Sequence, residues 1–352
     1  MAGALEGPLW RWQHARAATP SISVEQIAFA AIPGWKDDDH CAAFRCYSRS
    51  AGLAGQPAPG ADELLLKDHA KARAFFESTF AAFRLTAEPG LLTSYFEPVL
   101  KGSRTQSPAF PLPVYRCPDD LSILPEGHPL RELNLTAGRK TPSGFEPYFT
   151  RTEIEDEALK GRGLEILYLA DRIEAFIMHV QGSGQVQLED GTAVRLAFDG
   201  KNGHPYTSIA KLLVQQGHLT IENAHLEGMV NWLRSQPAPQ DFLNANKSFI
   251  FFKELDGSAE GPRGSIDVPL IAGRSLATDP LYHPPGTPIW VETKDLQFEG
   301  GPFRRLLVAQ DSGSAIIGVQ RGDIFAGCGE DAGRIAGRIR HQCSFIVLRP
   351  LR

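Results

Sequence analysis

Apolar and polar positions change their period several times along the chain. In "LLLKDHAKARAFFESTFAAF", Leu65, His69, Ala72, Phe76, Phe80 and Phe83 recur at helical spacing and predict one amphipathic helix. "IPGWKDDDHCAAFRCYSRSAG" predicts another, with Asp37, Asp38 and Asp39 in its first turn, at the positive end of the dipole. From Leu91 the period shortens. "LLTSYFEPVL" reads as a strand stopped by Pro98. "LEILYLADRIEAFIMHVQGSGQVQLEDGTAVRLAFDG" reads as several strands with turns at Gly182–Gly184 and Asp190-Gly191. "SIAKLLVQQGH" predicts a helix closed by Gly217, "IENAHLEGMVNWLRSQ" a second one ended before Pro237, and "SFIFFKEL" a strand. The C-terminal part carries the short β-runs "IDVPLIAG", "TPIWVET", "FRRLLVAQ", "AIIGVQRGDIFAG" and "SFIVLRP", with no helix of convincing length. That is the grammar of a small closed barrel rather than a βαβ sheet.

Length and composition narrow the class. The 352 residues suggest two domains, at roughly 150 residues each. Hydrophobic residues at 42% and charged ones at 22% are ordinary for a globular chain. A net charge of −5 and a pI near 6.1 argue against nucleic acid or an anionic membrane as the main partner. The five cysteines are odd in number, so one thiol at least stays outside any intrachain bridge, and none shows zinc-ligand spacing. The N-terminal "MAGALEGPLWRWQHARAATP" holds no long apolar run. That fits either a cytoplasmic protein or an exported one whose signal has been removed.

Candidate chemistry is sparse. Asp311-Ser312-Gly313 spells the triplet of an aspartic protease, but that mechanism needs two such carboxylates, and Gln310 breaks the usual apolar lead-in. The ten histidines show no H-E-x-x-H, "DDDH" reads as helix capping rather than a metal site, and His341 with Cys343 reads as packing. "QGSGQV" lacks the G-K-[ST] of a phosphate loop, and no G-x-S-x-G elbow occurs. Carboxylate chemistry on a glycine-rich β-scaffold remains. Asp323, flanked by Ile324 and Phe325, is expected to be partly desolvated, which suits a general acid. Asp311 sits among small residues that leave room for a bulky ligand. Two carboxylates in unlike surroundings are what glycosidic cleavage uses, whereas aspartates in such turns also cap them. Spacing alone leaves both readings open.

The motifs settle on a resemblance. "AQDSGSAIIGVQRGDIFAG" resembles the three-aspartate (3D) segment of the membrane-bound lytic murein transglycosylase A family. "SLATDPLYHPPGTPIWVE", "MHVQGSGQVQL", "DGKNGHPYTSIAKLL", "TSYFEPVL" and "NKSFIFF" are similar to its other segments, all within 91–348. Ser94, Ser314 and Lys247 stand where the family usually has Gly, Gly and Pro.

The resemblance implies a mainly β fold. A double-psi β-barrel would be built from 1–98 and 254–352, with 99–253 an inserted β-rich domain and the glycan lying in the groove between the two. It implies cleavage of the β-1,4 bond between N-acetylmuramic acid and N-acetylglucosamine in peptidoglycan, without water, leaving 1,6-anhydro ends. Asp323 corresponds to the acid/base, and Asp311 and Asp279 to its supporting aspartates. Gly313, Ser314 and Ala315 would line the floor. Tyr95, Gln181, Gly182, Ser183, Gly184, Asn202, Tyr206 and Phe325 would bind sugar. Asn202 and Tyr206 read equally well as part of a structural turn. No metal or cofactor is called for. The expected partner is the glycan strand, met by a monomer at the periplasmic face of the envelope, with outer-membrane attachment in a full-length form. A tie to cell-wall synthesis or division machinery is left unspecified. Two rival readings stand beside this one: a hydrolase using two carboxylates, and a non-catalytic wall-binding module of expansin type.

Overall fold

Strands outnumber helices in the computed structural model, which describes residues 23–58, 66–86, 90–255, 261–298, 301–313 and 315–351. Leu65 and Ser314 lie outside the described residues. The chain divides into two compact units. The first takes Met1–Leu92, Arg274–Asp323 and His341–Arg352; the second takes Thr93–Gly273 and Ile324–Arg340.

The first unit rests on a mixed sheet. Its strand order is Ser23–Ile27, Phe80–Thr86, Arg340–Pro350, Pro288–Phe298, Gly301–Asp311, Ser275–Thr278, Arg321–Cys328 and Gly90–Glu97. A further pairing of Arg340–Pro350 with Gly90–Glu97 closes six of these strands on themselves, which removes their open edges. Pro288–Phe298 and Gly301–Asp311 form a long antiparallel hairpin, while Ser275–Thr278 runs parallel to Gly301–Asp311. Both faces of the sheet are covered: Ile289 and Phe345 lie on one, Trp290, Leu306, Val308 and Leu348 on the other, and all are essentially inaccessible to solvent. Asp38 and Arg274 tie the turn that precedes His40 to the sheet, where Leu306 N also donates to Asp38. Both guanidinium nitrogens donate to the carboxylate, at 2.8 and 2.9 Å, in a pair that is 3–6% exposed. Losing one partner of such a buried pair costs about 3–5 kcal/mol.

Two helices pack on this unit, α1 (His40–Ser48) and α2 (His69–Thr79). The expected helix starts differ: Asp39 is the N-cap of α1, Asp37 belongs to a short 3-10 turn, and Asp38 is the barrel ion pair. The expected run of α2 through Phe83 also fails. Phe80 turns extended and Phe80–Thr86 becomes a strand, with Phe83 opposite Val347. Aromatic residues fit either period over a short run, and the sheet partner decides.

The second unit holds a six-stranded sheet in the order Ile250–Leu255, Ala193–Lys201, Ser183–Leu188, Val99–Ser103, Glu165–Leu169 and Leu112–Tyr115. A three-stranded meander of Leu121–Ile123, Ala137–Thr141 and Gly144–Pro147 belongs to the same unit. Two sequence expectations are corrected here. "RIEAFIMHVQ" is a helix, Arg172–Gln181, rather than a strand. Asp171 caps it by accepting from Ile173 N (2.8 Å) and Glu174 N (2.9 Å). Ile173, Phe176 and Ile177 join the helical core, while Met178 enters the sheet core. A helix apolar on two faces hides its period. Gly329–Ala336 is also a helix, where none was expected. Its glycines mimic a turn in sequence, yet Gly333 is there for closeness: a Cβ would stand 2.8 Å from the Phe96 ring. All five cysteines are free thiols.

Candidate active site

The three aspartates come from three neighbouring strands of the first unit. Asp311 ends the Gly301–Asp311 strand opposite Ala277, Asp279 follows the Ser275–Thr278 strand, and Asp323 lies on Arg321–Cys328, the next strand over. Side chains alternate along a strand, so Gly322 and Ile324 point inward and Asp323 points out, half-buried. Gly322 has no room for a side chain, since a Cβ would meet Phe345 at 2.9 Å and Leu276 at 3.1 Å. The strand that carries Asp323 therefore lies flat on the core.

Asp279 has other work. It is 2% exposed; one carboxylate oxygen accepts from Leu281 N (3.1 Å), the other from Gly318 N (2.9 Å). His283, from the same turn, hydrogen-bonds Val319 O at 2.7 Å. Burial holds His283 below its ordinary pKa, so the ring is neutral and donates through Nε2. These two side chains clamp the end of the loop joining Asp311 to Asp323. Gly313 and Ala315 are exposed on that loop.

In sequence Gln310 is no more than a break in a protease-like pattern. It is fully buried, and its amide is saturated. Nε2 donates to Cys46 O (2.7 Å) and Ser50 Oγ (3.0 Å); Oε1 accepts from Ser275 Oγ (2.7 Å) and Cys46 Sγ (3.1 Å). Burial pushes the Cys46 thiol up to about 12, which keeps it a donor. The network ties α1 to the strands that precede Asp311 and Asp279.

The remaining expected contacts belong to the second unit. Tyr95 and Phe325 form a tilted ring pair, centroids 5.4 Å apart. Ser94, the departure from the family's Gly, donates to Ile324 O at 2.7 Å. Gln181 accepts the Phe96 N–H at 3.0 Å, Gly182 closes the helix with φ 79°, and Ser183 opens the next strand. Gly184 is buried where a Cβ would sit 2.7 Å from Met178 Sδ. Asn202 is 0% exposed. Its Nδ2 donates to Phe149 O and Lys247 O, both at 2.8 Å, and its Oδ1 accepts from Phe249 N at 2.9 Å. Its side chain is thus consumed by the scaffold, and the structural-turn alternative describes it. Tyr206, by contrast, is 43% exposed.

Sequence reasoning missed a buried cluster beside that turn. The Arg151 guanidinium donates to Asn246 O (3.1 Å) and Ser248 O (2.7 Å) and lies between the Phe176 and Phe249 rings. His179 Nδ1 is 3.4 Å from it; burial first, and the Arg151 charge second, hold His179 well below the usual histidine range. Glu97, fully buried, accepts both Arg195 nitrogens (2.8 and 3.1 Å) and the Cys328 thiol (3.1 Å). No local spacing signals these groups, because their partners are up to 231 residues away.

Residues 91–253 match the model of the MltA specific insert domain, and 274–349 match the 3D domain. The chain is 33% identical over 264 residues to membrane-bound lytic murein transglycosylase A of Escherichia coli (strain K12), covering 73% of this chain. It spans 65% of the length of that curated relative. The crystal structure of a membrane-bound lytic murein transglycosylase from Agrobacterium tumefaciens is similar with a TM-score of 0.80 at 32% identity. It covers 93% of this chain and 98% of that one. Escherichia coli MltA with bound chitohexaose gives 0.66 at 30% identity, over 81% of this chain and 79% of that one. The fold is accordingly a double-psi β-barrel with a second domain. The chain belongs to the membrane-bound lytic murein transglycosylase A family.

Proposed function

We propose that this protein is a peptidoglycan lytic transglycosylase that cleaves the β-1,4 bond between N-acetylmuramic acid and N-acetylglucosamine without water. The observation that carries the reading is the joint match of 91–253 and 274–349 to the two models. The solved relative with bound chitohexaose supports a β-1,4 glycan as ligand. The barrel is assigned to 1–98 with 254–352, and the inserted domain to 99–253.

Asp323 is the acid/base. Its carboxyl gives a proton to the glycosidic oxygen as the bond to C1 breaks. The resulting carboxylate takes the proton of the sugar's own C6 hydroxyl while that oxygen closes on C1, so the acid is restored and a 1,6-anhydro ring forms. The nucleophile is part of the substrate and needs no diffusional encounter. Asp311 gives electrostatic support to the oxocarbenium-like transition state. Asp279 acts through the loop it clamps. Gly313, Ser314 and Ala315 offer backbone groups to the glycan, and the Tyr95 and Phe325 rings offer apolar faces to pyranose rings, joined by Ser183 and Tyr206. Gln181, Gly182, Gly184 and Asn202 keep these in place.

Peptidoglycan lies outside the cytoplasmic membrane, so the place of action is the periplasmic face of the envelope. Among the described residues no helix is long and apolar enough to cross a membrane. The test is release of soluble fragments from purified sacculi. Asp323→Asn is expected to keep the fold and lose at least ~10²-fold in rate, since a positioned acid–base group contributes about 10²–10⁴. A folded Asn variant with near-wild-type turnover would remove Asp323 from its role.

A further inference from the structure

The helices α1 and α2 of the first unit run side by side in the same direction. Phe44 meets Phe75 at 5.0 Å between centroids, and Tyr47, one turn on, meets Phe75 at 5.8 Å and Phe80 at 5.7 Å. Their N-termini are therefore neighbours. Asp39 caps α1 through Ala42 N (2.9 Å), and Asp68 caps α2 through Ala70 N (2.9 Å) and Lys71 N (3.1 Å). At this end, one ligand atom each from Asp39, Cys41 and His69 lie within 4.8 Å of one another, with His69 Nδ1 3.5 Å from Asp39 Oδ1.

We propose that Asp39, Cys41 and His69 form a zinc site that staples α1 to α2. Thiolate, imidazole and carboxylate are the donors zinc takes in tetrahedral sites, whereas calcium and magnesium demand oxygen. With zinc bonds of about 2.0–2.3 Å, ligand atoms of a tetrahedron stand about 3.3–3.8 Å apart. The Asp39–His69 separation is already in that range. Asp39 and His69 are exposed and adjustable, while Cys41 is buried and supplies the fixed point. The N-cap bond uses one lone pair of Asp39 Oδ1, the oxygen that faces His69, and leaves its second lone pair for the ion. Two helix N-termini bring partial positive charge, roughly half a unit each. The carboxylates of Asp39 and Asp68 with the Cys41 thiolate outweigh it, even with Arg45 near the thiol. Three protein ligands leave a fourth position to water. The site stands apart from the aspartates of the 3D segment in sequence and in its ligands, so its role is to hold helices rather than to cut glycan.

The experiment uses the untagged full chain, stripped with a chelator and desalted, then loaded with Zn²⁺ or Co²⁺. One equivalent of zinc is expected to survive gel filtration, and the unfolding temperature should rise with zinc concentration. Cobalt should give a thiolate-to-cobalt charge-transfer band. Cys41→Ser and His69→Ala should each weaken zinc binding by at least ~10-fold, since even outer partners of a metal site are worth 10–100-fold. Both should abolish or cut the band and the thermal shift, with glycan cleavage unchanged. Circular dichroism and the metal-free melting curve of each variant show that the helices are in place. Absence of retained zinc, a cobalt complex without the band, or variants that bind zinc as tightly as the wild type would each overturn the site.

Discussion

Asp279 and Asp323 are the same residue type in very different surroundings. Asp323 points away from the barrel core and is half-buried, whereas Asp279 is 2% exposed, with both its oxygens accepting from backbone N–H groups. Replacing Asp279 by Asn puts an amide NH₂ against one of those donors. The expected cost is about 1–3 kcal/mol, the penalty for a buried group left unmet. The rate should fall while the limbs of the pH–rate profile stay where they are, because Asp279 passes no proton. Urea unfolding and the pH profile check this. Wild-type stability would contradict the clamp, and a displaced limb would give Asp279 a part in proton transfer. All three aspartates could be singled out in sequence, because a motif preserves residue types and spacing. Their division of labour could not, since Asp279 meets its partner 39 residues later and Gln310 meets Cys46 264 residues away.

Among the elements, the turn Asn202–His204 shows how a recognisable motif can be scaffold. Asn202 joins Phe149, Lys247 and Phe249, and His204 bonds Tyr148 O at 2.8 Å. Gly203 sits at φ 86°, where a Cβ would stand 2.3 Å from Ala137 O. Gly203→Ala is expected to destabilise by at least about 2 kcal/mol, from backbone strain and the clash together. Chemical denaturation measures it, and a variant as stable as the wild type would show that the turn can shift. Most of the C-terminal β-runs and the Pro98 stop were readable from alternation and proline, but "IDVPLIAG" forms turns and one isolated bridge, with Asp267 at φ 58° and Pro269 breaking the run, and "AIIGVQRGDIFAG" is a strand only from Arg321. The helix Arg172–Gln181 was not, because both its faces are buried, and Gly329–Ala336 was not, because its small residues serve close packing against Phe96.

For the whole molecule, buried histidines set a pH response. Burial is the first cause holding His40, His179 and His283 below the ordinary 6.5. Each stays neutral in the folded chain at pH values where the unfolded chain already binds a proton. Their contribution is intact above that value and is lost as pH falls below it. The unfolding temperature should therefore drop between about pH 7 and about pH 5; a flat or rising curve would contradict this. The pairing of segments as distant as Gly90–Glu97 and Arg340–Pro350 was not legible from periodicity, which marks strands and does not pair them. The central claim is cleavage without water, and it is tested most directly by digesting purified sacculi in ¹⁸O-labelled water and weighing the ends. Attack by the C6 hydroxyl predicts 1,6-anhydro ends, one water lighter than reducing ends and free of label. Labelled reducing ends as the main product would make the enzyme a hydrolase on the same barrel, with a carboxylate activating water, and would contradict the account.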